Sequence, residues 1–119
     1  MKQGEAYILF QELQQLAPRA KGVVGFAVAR NIRLLKTELT EYADKRMELF
    51  KTYGELSEDG SRYIIKPEAQ GMFMREVAVY DDMELTIELM TITDEQLQAQ
   101  DELTGEDMYL LDNFMINHN

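Results

Sequence analysis

The sequence predicts an α+β domain, mainly helical, in which a long central helix is accompanied by shorter helices and a small two-stranded sheet. Three observations predict it. Apolar residues recur in a heptad-like seam through the first half, and one later stretch alternates apolar with polar residues. The 119 residues are enough for one core and short of two, so residues 1–119 are read as a single domain.

From Glu5 to Ala17, Tyr7, Ile8, Phe10, Leu13 and Leu16 recur at mostly three- and four-residue steps, and Pro18 closes the run, which predicts a short amphipathic helix. After the connector "PRAKG", Val28, Ile32, Leu35, Leu39, Tyr42, Leu49 and Tyr53 alternate in steps of four and three, with Arg46 as the one polar interruption. That spacing predicts a helix of roughly 30 residues, about 45 Å long, supported by opposite charges such as Glu41 and Lys45. A second strip, Val24, Leu34, Met47 and Phe50, widens the apolar face and suits packing in a bundle better than an exposed oligomer seam. Arg46 is read as a snorkelling or salt-bridged residue rather than a ligand.

"SEDGSR" from Ser57 is turn material, and the "RYIIK" that follows it reads as a short strand. Pro67 suits the first turn of a helix running through Met72, Phe73, Val77 and Tyr80 to about Asp82. In "MELTIELMTI", Leu85, Ile87 and Leu89 alternate with Glu84, Thr86 and Glu88, so residues 84–92 are predicted to pair as a strand with residues 63–66. Thr93 or Asp94 caps a short helix. Thr104 and Asp107 then form a relative of the capping box ahead of a last helix whose apolar face is Met108, Leu111 and Met115.

With 45% apolar and 29% charged residues the chain is too apolar for general disorder. It has no cysteine, which excludes disulfides, thiolate metal sites and cysteine nucleophiles. The run "VVGFAVA" is far short of the roughly 20 residues of a membrane span. "MKQGEAYILF" lacks the features of a signal peptide, so a cytoplasmic protein is expected. Through Arg75, twelve Lys and Arg face ten acids, whereas from Glu76 onward twelve acids face none. The acidic part disfavours nucleic acid and anionic lipid and favours a basic partner.

Candidate chemistry is sparse. His118 lies one residue from the end and makes a poor general base. Ser57 and Ser61 both fall in one turn, which leaves no plausible nucleophilic triad. The residues that stand out are acids: Asp81, Asp82, Glu84, Glu88, Asp94, Glu95, Asp101 and Glu102. They read as solvated faces and caps, as a divalent-cation cluster lacking EF-hand spacing, or as a ladder of negative charge, Glu84 and Glu88 on one strand face, imitating a nucleic acid. Six of the eight methionines fall in the last 48 residues, where thioethers fill core gaps or line adaptable binding surfaces.

The segments "ELTEYADKRMELFKTYGE", "EDG" and "IKPE", followed by "MELTIELMTI" and "LTGEDMYLLDNFMI", resemble in order a family of small uncharacterised phage and prophage proteins of Gram-positive bacteria. The resemblance implies a viral setting and a mostly helical fold with a small sheet, and it brings no catalytic residues to carry over. The expectation is a non-enzymatic accessory protein that binds a basic host or viral protein stoichiometrically through its acidic surface, inhibiting a nucleic-acid-binding or defence protein. The alternative is a virion assembly component that packs against itself or other virion proteins. A metal-dependent enzyme is a distant third.

Overall fold

Pro18 sets the end of the first helix. Without an N–H it breaks the α-helical ladder, and α1 (Gln3–Leu16) gives way to a 3-10 turn over Ala17–Arg19. The computed structural model describes residues 1–117, and His118 lies outside them. The chain continues through α2 (Gly22–Glu38), α3 (Thr40–Tyr53), β1 (Gly54–Leu56) and β2 (Tyr63–Ile65). A 3-10 turn over Pro67–Ala69 then leads into α4 (Gln70–Asp81), α5 (Asp94–Gln98) and α6 (Gly105–Met115). The fold is α+β and mainly helical, with one two-stranded antiparallel sheet among the described residues. No helix of those residues is long and apolar enough to cross a membrane.

The chain folds as two compact units, each assembled from two stretches: Met1–Ala6 with Glu38–Leu85, and Tyr7–Thr37 with residues from 86 onward. The first unit carries thirteen acids against seven Lys and Arg, net −6, and the second nine against five, net −4. The sharp charge split along the sequence is thereby blurred, because each unit combines basic residues from the early chain with acids from the late chain.

In the first unit α3 and α4 meet through rings: Phe50 and Phe73 have centroids 4.9 Å apart, and Tyr53 stands edge-on to Phe73 at 6.4 Å. The Tyr53 hydroxyl donates to Glu76 at 2.7 Å. Buried Tyr42 donates its hydroxyl to Asp81, and Arg46 lies 3.9 Å from the same carboxylate while covering the Tyr42 and Phe50 rings. Arg46 is therefore salt-bridged, as its seam position suggests. The chain start is tied down by the Gln3 N–H to Met83 O at 2.9 Å and by reciprocal backbone bonds between Met1 and Leu85. The β1–β2 hairpin turns at Gly60, whose φ of 71° favours glycine. Asp59 steadies the turn by accepting from the Ser57 and Ser61 hydroxyls and the Ser61 N–H, which pulls its carboxyl down to about 2.

Burial, followed by the hydrogen bond to Asp81, pushes the Tyr42 phenol up to about 12. Folding thus favours the neutral form. Its contribution is complete below the ordinary tyrosine value near 10 and is lost as pH rises through about 12. In ring-labelled NMR titrations, Tyr42 should stay unshifted past pH ~10. Tyr42→Phe should flatten the alkaline loss of stability. A Tyr42 signal titrating at the ordinary value would refute the linkage.

The second unit buries Leu9, Leu13, Leu16, Val24, Ala27, Val28, Leu35, Leu97, Leu111 and Met115 together with one amide, Asn31. Asn31 Nδ2 donates to Met90 O at 3.0 Å, and Met90 N–H donates to Asn31 Oδ1 at 2.7 Å. The side chain thus acts as a peptide partner for a residue that no strand pairs. Both predicted caps form. Thr93 caps α5 with Gln96, and Thr104 caps α6 with Asp107, each as a complete capping box.

Four sequence expectations need correction. The long helix is two helices, interrupted at Leu39 (φ −95°, ψ 4°). The Thr37 hydroxyl donates to Arg33 O at 3.1 Å, a back-bond that bends helices, while the apolar seam runs on through buried Leu35, Leu39 and Tyr42. The second correction concerns the sheet: residues 63–65 pair with residues 54–56, in the register Gly54↔Ile65 and Leu56↔Tyr63, and not with residues 84–92. That later stretch makes only isolated bridges at Glu84 and Ile92, because its amides are taken by Met1, Asn31 and Met115. In α1 the buried face is Ala6, Leu9, Leu13 and Leu16, with Ile8 exposed. Finally, Met72 lies exposed on α4, beside half-buried Phe73, Val77 and Tyr80.

Candidate functional site

The eight acids singled out in the sequence do not share one environment. Asp81, Asp82 and Glu84 belong to the first unit, whereas Glu88, Asp94, Glu95, Asp101 and Glu102 belong to the second. Asp81 is committed to Tyr42 and Arg46. Asp82 pairs with Lys2 at 3.6 Å, and Glu84 with the terminal ammonium at 3.4 Å. Glu102 pairs with Lys21 at 3.5 Å. Glu88, Asp94, Glu95 and Asp101 are exposed and have no ion-pair partner among the described residues. The expected Glu84–Glu88 ladder does not form, since the stretch carrying them is not a strand. No three His, Asp or Glu among the described residues converge into a metal-holding set.

One concavity lies in the second unit, between α1 and α6, and sequence reasoning did not single it out. It encloses about 810 Å³, within the range of ligand sites. Glu12, Gln15, Leu16 and Arg19 line one side at helical spacing, and Glu106, Tyr109, Leu110, Asn113 and Phe114 line the other. Leu16 is fully buried, Leu110 and Phe114 are half-buried, and Tyr109 is 71% exposed. The floor is therefore apolar and aromatic. Glu12 and Glu106 on the rim are exposed and have no ion-pair partner among the described residues.

One end of the groove is held by Arg19 and Asp107. Arg19 Nε donates to Asp107 Oδ2 at 2.8 Å and Nη2 to Oδ1 at 2.9 Å, a bidentate fork. Asp107 also accepts from Thr104 N–H at 3.0 Å, closing the α6 cap. The Arg19 guanidinium, and then the Thr104 groups, hold the Asp107 carboxyl below its ordinary value against the opposing effect of burial. This pair is structural, and it leaves the rim carboxylates to carry the groove's charge. The signal that could have found the groove is the second apolar set on α6, Tyr109, Leu110 and Phe114, flanking the buried set Leu111 and Met115.

The first unit has a smaller apolar hollow of about 390 Å³ between α3 and the hairpin, lined by Met47, Phe50, Leu56, Arg62 and Tyr63. Around it, on α4 and just beyond α4, Met47, Leu56, Ile64, Met72, Met74, Val79 and Met83 are exposed. Of the late methionines, Met115 alone is fully covered, so these thioethers divide between core and surface. Compared with protein-family models, with curated proteins and with solved structures, the chain matches none.

Proposed function

We propose that the protein is a non-enzymatic phage or prophage accessory protein that acts by stoichiometric binding of a basic host or viral protein in the host-cell cytoplasm. The observation that carries this reading is the unpaired negative charge of the second unit. Glu12, Glu88, Asp94, Glu95, Asp101 and Glu106 are exposed without an ion-pair partner among its described residues, and two of them border an apolar groove. Uncompensated charge beside apolar surface favours a partner of opposite charge and speeds its encounter. The absence of cysteine and the placement of both serines in one turn support a role without catalysis. Inhibition of a nucleic-acid-binding protein is the form in which an acidic binder acts most directly, by occupying a basic groove.

The test is affinity capture from infected and uninfected bacterial lysate, washed at low and high salt, with stoichiometry measured on the purified complex. A basic protein held one-to-one and released by salt is expected. Charge reversal at Glu88, Asp94 and Glu95 should weaken capture without unfolding the chain. The exposed apolar side chains of the first unit favour a second reading, a virion assembly component, for which capture would be confined to virion proteins and would resist salt.

A further inference from the structure

Resting on the reading of a basic partner, we infer that the α1–α6 groove is the docking lane for a single basic amphipathic helix of that partner. Two helices lining a trough present a seat for a third, and here the spacing is regular on both sides: Glu12, Gln15, Leu16 and Arg19 facing Glu106, Tyr109, Leu110 and Asn113. The apolar anchor has a floor in Leu16, Leu110 and Phe114, with Tyr109 standing exposed as the aromatic contact.

Charge complementarity selects the occupant. Asp107 is neutralised by Arg19, so the charge left on the rim is that of Glu12 and Glu106, one on each side. A helix with an apolar stripe flanked by Lys or Arg on both borders satisfies the floor and both rims together. An acidic or purely apolar helix leaves the carboxylates opposed or unmatched. The Gln15 and Asn113 amides are free of hydrogen bonds to described residues and stand where they can meet polar groups of the incoming helix. The second unit's net charge of −4 steers such a helix inward.

The probe is a synthetic amphipathic helix of leucine and lysine, about twelve residues or roughly 18 Å, with one tryptophan on its apolar side. The protein has no tryptophan, so the probe's fluorescence reports alone. Saturable one-to-one binding is expected, with amide NMR shifts confined to residues 12–19 and 104–114. Glu12→Gln with Glu106→Gln should weaken binding about three- to tenfold at low salt, with the difference vanishing at high salt. Tyr109→Ala should weaken it more than about tenfold. A glutamate version of the probe should not bind.

Lack of binding, shifts elsewhere, or indifference to both sets of substitutions would overturn the inference. Dilution-dependent shifts at the groove without probe would assign it to a second copy of this chain and overturn it equally. A captured basic partner whose affinity survives Tyr109→Ala would sink the groove and leave the proposed function standing. Probe binding with no basic partner captured would do the reverse.

Discussion

Asn31→Leu should lower stability by about 2–4 kcal/mol, and Asn31→Ala by less. Asn31 is fully buried, and its amide satisfies both the N–H and the carbonyl of Met90, at 2.7 and 3.0 Å. Leucine keeps the branched skeleton but puts two bulkier methyl groups into a fully buried site, and it leaves both Met90 backbone groups without this partner, each worth about 1–3 kcal/mol. Alanine opens a polar space in which water can restore part of the bonding. The ordering runs against simple hydrophobicity, by which leucine would be the better core residue. For a chain of this length the leucine variant should melt roughly 10 °C or more below the parent. Equal or higher stability for the leucine variant in denaturant unfolding would show that the Met90 groups find other partners.

Asp107→Asn should cost about 2 kcal/mol at neutral pH and little in strong acid. The aspartate receives a bidentate Arg19 and closes the α6 cap, and its side chain is only 10% exposed. Hydrogen bonds to a charged group are worth about 1.5–3 kcal/mol, discounted here because Arg19 is 41% exposed. Asparagine keeps an acceptor for Thr104 but turns an N–H₂ towards the guanidinium. The folded carboxyl is depressed, so its contribution is complete above the unfolded value near 3.9 and is lost as pH falls through the lower folded value. Denaturant midpoints of parent and variant should therefore differ at pH ~7 and converge at the acid end. A difference that persists unchanged into acid would assign the loss to packing rather than to charge.

What was legible in the sequence was local. Thr93 with Gln96 and Thr104 with Asp107 complete their boxes within four residues, and the turn at Gly60 follows from its own neighbours. What was hidden depended on partners far along the chain. The alternation of residues 84–92 looks like a strand, yet the Met90 amide within it is claimed by Asn31, 59 residues away. The helix break at Leu39 was masked because the apolar seam does not break with it. The acids illustrate the same limit. Asp81 and Glu88 look alike in sequence, but only the fold commits one to Tyr42 and Arg46 and leaves the other to solvent. The groove needs α1 beside α6, which no single stretch announces.

The two-stretch assembly of both units has a consequence in time. A chain emerging from the ribosome presents Leu9, Leu13, Leu16, Val24, Val28 and Leu35 long before residues 97–115 exist to complete their unit. The ties between Met1 and Leu85 and between Arg19 and Asp107 span 84 and 88 residues, so they close late and across large loops. Until then the early helices are amphipathic surfaces awaiting their cover, open to chaperones or to one another. The interval before those long-range ties close, while the apolar faces stand uncovered, is when this chain is open to aggregation.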